Sequence, residues 1–165
     1  MNTQIINRPF SLKDCHFSSD ISPLLARIYS ARGIKNEQSL SRKLKELPDF
    51  QQLKDIEKAT HILSEAISHK QRIMIVGDFD CDGATSCTLG VQALTAMGAN
   101  VDYLVPNRFE YGYGLTPEIV EIAAQSQPDI IVTVDNGISS IEGVAEAKSR
   151  GMKVIVTDHH LAGNT

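Results

Sequence analysis

The sequence predicts an α/β fold: a parallel sheet covered by helices on both faces, preceded by a small helical region. Three observations lead there. Short, β-branched apolar runs recur at residues 72–76, 101–105, 130–134 and 154–156. Segments that read as helices, residues 84–97, 117–124 and 139–149, separate them. The runs are continuous rather than alternating, which is the pattern of strands buried on both faces. Right-handed crossovers then arrange the strands as a Rossmann-like layer.

The texture before the first strand is different, and it divides the chain into a helical N-terminal region, residues 1–70, and an α/β domain, residues 71–165. Ser22-Pro23 opens a helix with proline at its first position, and Gly33 closes it. Asn36 caps a second helix over residues 37–44. Leu47-Pro48-Asp49-Phe50 is a break. Residues 54–69 then carry Ile56, Ala59, Ile62, Leu63, Ala66 and Ile67 at helical spacing, one apolar face.

With 165 residues, 42% hydrophobic and 22% charged, the chain is long enough for one soluble domain with a real core. Its apolar runs are strand-sized, far short of the roughly 20 residues of a membrane span, and residues 1–10 lack a leader pattern. No membrane association is expected. Cys15, Cys81 and Cys87 are odd in number and form no Cys-x-x-Cys pair, so a reducing, cytoplasmic location is the natural reading. Cys81 is expected to face the core, Cys15 and Cys87 to pack, and His16, His61 and His69 to face solvent. The net charge of −4 runs against a nucleic-acid protein, and no basic or aromatic surface for a single strand stands out. Acids that hold metal ions lower the formal charge without lowering the field a substrate meets.

In a parallel sheet all strands end on the same edge, where ligands bind. Gly77-Asp78-Phe79-Asp80-Cys81-Asp82-Gly83 follows the first strand, Asp135-Asn136-Gly137 the third, and Asp158-His159-His160 the fourth. Five carboxylates and two imidazoles thus converge. Singly, such an Asp caps a helix, Asp-Asn-Gly makes a turn, and a histidine pair lies on a surface. Together they form a cluster whose like charges need cations, and oxygen with imidazole ligands suits manganese, magnesium or zinc. The Asp78-x-Asp80-x-Asp82-Gly83 spacing imitates a calcium-binding loop, but the twelfth position is Leu89 and the preceding element is a strand. Asp80-x-Asp82 after a strand also imitates haloacid-dehalogenase phosphatases, which leave Asp158-His159-His160 unexplained.

These motifs resemble those of the DHH phosphoesterases. Residues 76–86, Val-Gly-Asp-Phe-Asp-Cys-Asp-Gly-Ala-Thr-Ser, look like the first motif, Val134-Asp135-Asn136-Gly137 like the second, and Asp158-His159-His160 like the signature itself. The segment from Val105 to Leu115, Val-Pro-Asn-Arg-Phe-Glu-Tyr-Gly-Tyr-Gly-Leu, resembles the RecJ branch of single-strand-specific exonucleases, as does Leu47-Pro-Asp-Phe50 with Lys54-Asp-Ile56. Many family members begin the first motif with histidine; Val76 stands there, and the additional Asp78 is its expected substitute.

The resemblance implies a metal-dependent 5′→3′ exonuclease that hydrolyses phosphodiester bonds of single-stranded DNA in recombination and repair. Its cofactor would be Mn2+ or Mg2+, as two ions about 3.5–4 Å apart. The implied ligands are Asp78, Asp80, Asp82, Asp135 and His159, with Asp135 bridging and Asp158 orienting the imidazoles. His160 and Arg108 would contact the substrate phosphate, so the implied catalytic set is Asp80, Asp82, Asp135, His159 and His160. Single-stranded-DNA-binding protein and a helicase are the implied protein partners. The resemblance also makes this chain the N-terminal part of a longer enzyme with a further metal-binding Asp, a DHHA1-type domain and an OB-fold, so the isolated chain is expected to be a poor or inactive exonuclease. Two alternatives stand beside it: another DHH phosphoesterase acting on short oligonucleotides or cyclic dinucleotides, and an inactive metal- or DNA-binding fragment.

Overall fold

The computed structural model describes residues 6–163; the first half of the segment read for a leader lies outside the described residues. No helix among them is long and apolar enough to cross a membrane. The chain forms two compact units that divide between Leu53 and Lys54.

The first unit is thinly packed, with Ala26 its one buried apolar side chain among the described residues. Helix α1 (Pro23–Ala31) starts as expected: Ser22 Oγ accepts from Leu25 N at 3.3 Å and proline occupies the first turn. Asn36 caps the next element, its Oδ1 accepting from Ser39 N at 3.1 Å. That element is a single 3-10 turn, Glu37–Leu40, not the helix expected over residues 37–44. It buries nothing, and a short helix without a packed face is not stable. Leu44–Glu46 and Phe50–Gln52 are further single turns. Arg8, Arg27, Arg32 and Phe10 line one shallow cavity, with Arg27 Cζ 4.8 Å from the Phe10 ring centroid. Three arginines and a phenylalanine scattered along the sequence thus meet there.

The second unit begins with α2 (Ile56–Ser68), earlier than the change of texture at residue 70. Ala66 is fully buried in the sheet's core, and Ala59, Ile62, Leu63 and Ile67 pack against it. Then follow β1 (Arg72–Gly77), α3 (Cys81–Ala96), β2 (Asn100–Leu104), α4 (Arg108–Tyr111), α5 (Pro117–Ala124), β3 (Ile130–Val134), α6 (Ile141–Ser149) and β4 (Lys153–Thr157). The strands form one all-parallel sheet in the order β2-β1-β3-β4. This is the expected α/β architecture.

Alternate residues of the central strands feed opposite cores. Ile73, Ile75, Ile130, Val132 and Val134 join Cys87 and Leu94 of α3 on one face. Met74, Val76 and Ile131 join Leu115, Ile119, Val120 and Ala147 on the other, under α5 and α6. The chain therefore leaves β1 over one face and returns to β3 over the other. The switch point lies between the ends of β1 and β3, where open α/β sheets bind ligands.

Helix α3 begins at Cys81 rather than near Ala84, because Asp80 caps it, accepting from Asp82 N and Gly83 N at 3.1 Å each. This changes the reading of Cys81. It is exposed, not core-facing, since strand alternation does not apply in a first helical turn. Cys87 is buried, Cys15 is half-buried, and His16, His61 and His69 are exposed as expected.

Gly143 lets α6 pass close to the backbone leading into α5: a β-carbon there would stand 1.8 Å from Leu115 O. Gly143→Ala is expected to destabilise the fold by at least about 2 kcal/mol, seen in thermal melts as a fall of roughly 5–10 °C. An unchanged Tm would mean that the two helices are free to separate.

Candidate metal centre

The parallel register sets the site. Gly77 pairs with Val134, and Val134 with Thr157, so Asp78, Asp135 and Asp158 leave the sheet as the next row. Asn136 holds the middle of this row. Its Nδ2 donates to Val76 O at 3.0 Å and Val134 O at 2.9 Å, tying the ends of β1 and β3 together, while Thr133 Oγ1 donates to Asn136 O at 2.7 Å. Asp135 takes the left-handed conformation, φ 63°, and its N–H donates to Thr157 O at 3.0 Å. Asp and Asn tolerate that conformation better than other side-chain-bearing residues.

Two groups of possible ligands share Asp135. Donor atoms of Asp78, Asp80 and Asp135 lie within 4.8 Å of one another, and so do those of Asp135, His159 and His160. His159 Nε2 stands 2.8 Å from Asp135 Oδ1. Asp135 Oδ2 is buried with no hydrogen-bond partner among the described residues, an unsatisfied oxygen that a cation would complete. The donor set of carboxylate oxygens and imidazole nitrogens fits a hard or borderline divalent ion. Of the residues expected here, the structure brings together Asp78, Asp80, Asp135, His159 and His160. Asp82 stands outside both groups, exposed in the first turn of α3.

The acids of this edge titrate in opposite directions. Burial raises the Asp135 carboxyl; the His159 hydrogen bond pulls it down, the neighbouring Asp80 pushes it up, and the net direction is up. Asp80 is held low, first by the Gly83 N–H. Asp158 is raised by burial but more than offset by the N–H groups of Ile138, at 2.9 Å, and His160, at 3.0 Å, so it too ends low. Its carboxylate meets His160 Nδ1 at 2.7 Å and raises the His160 imidazole.

Three aromatic and basic residues roof the site. Tyr113 OH donates to Asp135 O at 3.2 Å and stands 3.0 Å from His160 Nδ1. Arg108 pairs with Asp78, its guanidinium between the rings of Phe79 and Tyr113. Neither aromatic was picked out from the sequence, although both lie inside the quoted motifs. A tyrosine between two glycines in a loop was the available signal, since binding and catalytic residues concentrate on loops.

The model of the DHH family, N-terminal domain, matches residues 72–165, more than half of the chain. The chain belongs to the DHH family. Within it, the chain is 53% identical over 148 residues to the single-stranded-DNA-specific exonuclease RecJ of Escherichia coli (strain K12), covering 89% of this chain and 26% of that protein. It is 50% identical over 164 residues to RecJ of Dickeya dadantii (strain 3937), covering 99% and 28%. Among solved structures, a RecJ exonuclease bound to manganese superposes with a TM-score of 0.64 at 39% identity, over 72% of this chain and 30% of that one. RecJ of Thermus thermophilus in complex with Mn2+ gives 0.61 at 34% identity, over 88% and 20%. The chain spans about a quarter of the length of the curated relatives it matches.

The raised Asp135 carboxyl makes a prediction for this DHH site without metal. A carboxyl whose pKa rises on folding costs stability as pH climbs through the ordinary carboxylate range to the folded value. Asp135→Asn keeps a residue suited to φ 63° and removes that loss. The metal-free variant should melt at or above the parent at pH 7, with the difference vanishing below pH ~4. A lower Tm at pH 7 would show the carboxylate to be a structural support.

Proposed function

We propose that this chain carries the ion-holding site of a metal-dependent 5′→3′ exonuclease for single-stranded DNA, of the kind that serves recombination and repair. The observation that carries the reading is the sharing of buried Asp135 between two donor groups, the arrangement a pair of ions needs. The manganese-bound RecJ structures that it resembles support the choice of Mn2+ or Mg2+.

Asp80, Asp135 and His159 would hold the ions, with Asp135 between them; Asp82 would complete one shell from the open side. The bound ions would neutralise phosphate charge and activate water for hydrolysis of the phosphodiester. The protein's own part is positioning. Asp158 engages His160 Nδ1 and favours the imidazolium, and in that form Nε2–H would be free to donate to a phosphate oxygen. Arg108 offers the planar fork suited to the same group. Tyr113, bonded to Asp135 O, closes one side of the site. A cytoplasmic location and working contacts with a single-stranded-DNA-binding protein and a helicase belong to the same proposal.

Calorimetry with manganese tests the ion site: the chain should bind, and Asp135→Asn should weaken binding at least about tenfold. Equal affinity would remove Asp135 from the centre of the reading. The activity is tested by grafting this chain in place of the matching segment of the Escherichia coli relative. The chimera should shorten 5′-labelled single-stranded DNA in manganese, and Asp80→Asn should abolish this. Turnover of cyclic dinucleotides without any on long single strands would instead favour the short-substrate branch of the family.

A further inference from the structure

Asp78 is as enclosed as Asp135, at 8% exposure, but its oxygens are differently employed. Oδ1 accepts from Phe79 N at 2.8 Å, and Oδ2 receives Arg108 Nη2. Arg108 opens α4, thirty positions further on, where Asn107 Oδ1 caps the turn by accepting from Phe109 N at 3.1 Å. Its Cζ lies 4.4 Å from the Phe79 ring centroid and 4.9 Å from that of Tyr113. The guanidinium is thus held by a carboxylate at one end and by two aromatic rings. Its Nε is buried without a partner among the described residues, while the side chain as a whole keeps 38% exposure.

We propose that Asp78 is a positioning residue for Arg108, holding the guanidinium fork toward a substrate phosphate, and not a ligand of the ions. This rests on the reading of the site as one for phosphodiesters. Distance alone does not separate the two roles, because an oxygen of Asp78 lies within 4.8 Å of donors from Asp80 and Asp135. Charge does. If Asp78 turned to an ion, Arg108 would lose its counter-charge beside a dication, with one nitrogen already unsatisfied. If Asp78 stays, the ring pair and the carboxylate fix the plane of the fork. The remaining N–H groups then suit two oxygens of one phosphate. The additional Asp of this loop, which by family resemblance stands in for a missing histidine ligand, is on this account occupied with the arginine.

The test uses the 165-residue chain with Asp78→Asn, which keeps the shape of the side chain. Manganese affinity by calorimetry should stay within about twofold of the parent, where Asp135→Asn loses at least about tenfold. Affinity for a fluorescent 5′-phosphorylated, phosphorothioate single-stranded oligonucleotide should fall about tenfold, as it should in Arg108→Ala, and the double variant should lose no more than Arg108→Ala alone. Modification of Arg108 by phenylglyoxal, located by mass spectrometry, should quicken in Asp78→Asn and be unaffected by manganese in the parent. A tenfold loss of manganese affinity in Asp78→Asn, or release of Arg108 to phenylglyoxal on adding manganese to the parent, would overturn the proposal. If Asp78→Asn does not fold, Arg108→Ala decides: unchanged manganese affinity supports the proposal, and tighter binding shows that Arg108 had been competing with an ion for Asp78. A parent that binds manganese but no oligonucleotide would refute the phosphate role and the phosphodiester reading together, whereas the modification experiment judges the Asp78–Arg108 pairing alone.

Discussion

The pairing of β1 with β3 places Gly77 opposite Val134, so the two loops that follow leave the sheet side by side. Two Asp-bearing loops could not stay there unaided, because their carboxylates repel. Asn136 supplies the restraint. Buried at 2% exposure, it donates from one amide group to carbonyls at both strand ends. That bond pair is indifferent to charge and pH, so the frame persists whatever the acids do. The left-handed Asp135 is a consequence: the backbone turns sharply enough there for Asn136 to reach back, and Asp135 N keeps its bond to Thr157 O.

The acids then fall into two classes by how they are solvated. Asp80 and Asp158 each receive two backbone N–H groups, and both are held in the ionised form. Asp135 receives none, has one oxygen without a partner, and is pushed the other way. A backbone-solvated carboxylate is satisfied without an ion, whereas an unsolvated one beside another acid is poised to take one. On the proposed reading, cations would centre on Asp135, the buried acid that no backbone N–H solvates. The capping acid Asp80 sits at the rim, and Asp158 is bonded to His160.

Much of this was legible in the sequence. A parallel sheet covered on both faces needs strands that are apolar at every position, and those runs stand out; β3 matches its expected bounds, and the other strands fall within a residue or two. The convergence of the acids followed from strand polarity alone. What was hidden is tertiary. Cys81 was misassigned because a helix cap starts where a loop seemed to continue the strand's alternation. The expected helix at residues 37–44 shrank to one turn, which buries no side chain fully among the described residues. Phe79, Arg108 and Tyr113 meet only when the chain folds, and no local pattern marks a guanidinium destined to lie between two rings.

The path of the chain explains why those three residues meet beside the clustered carboxylates. Strand β2 lies on the far side of β1 from β3. To enter β3 by way of α5, on the face opposite α3, the chain must cross the carboxyl end of β1. The crossing segment, residues 105–116, therefore passes over the switch point and becomes its roof. It is short and must turn twice, which Gly112 and Gly114 allow with φ 77° and 81°. Leu115 N then donates to Ser140 Oγ at 2.9 Å, anchoring the end of the crossing to the loop before α6. A strand order of 2-1-3 thus demands a roof, and a roof over clustered carboxylates is where a cationic side chain is retained most cheaply. Arg108 occupies that place, and the same topology that gathers the acids brings a cationic side chain beside them.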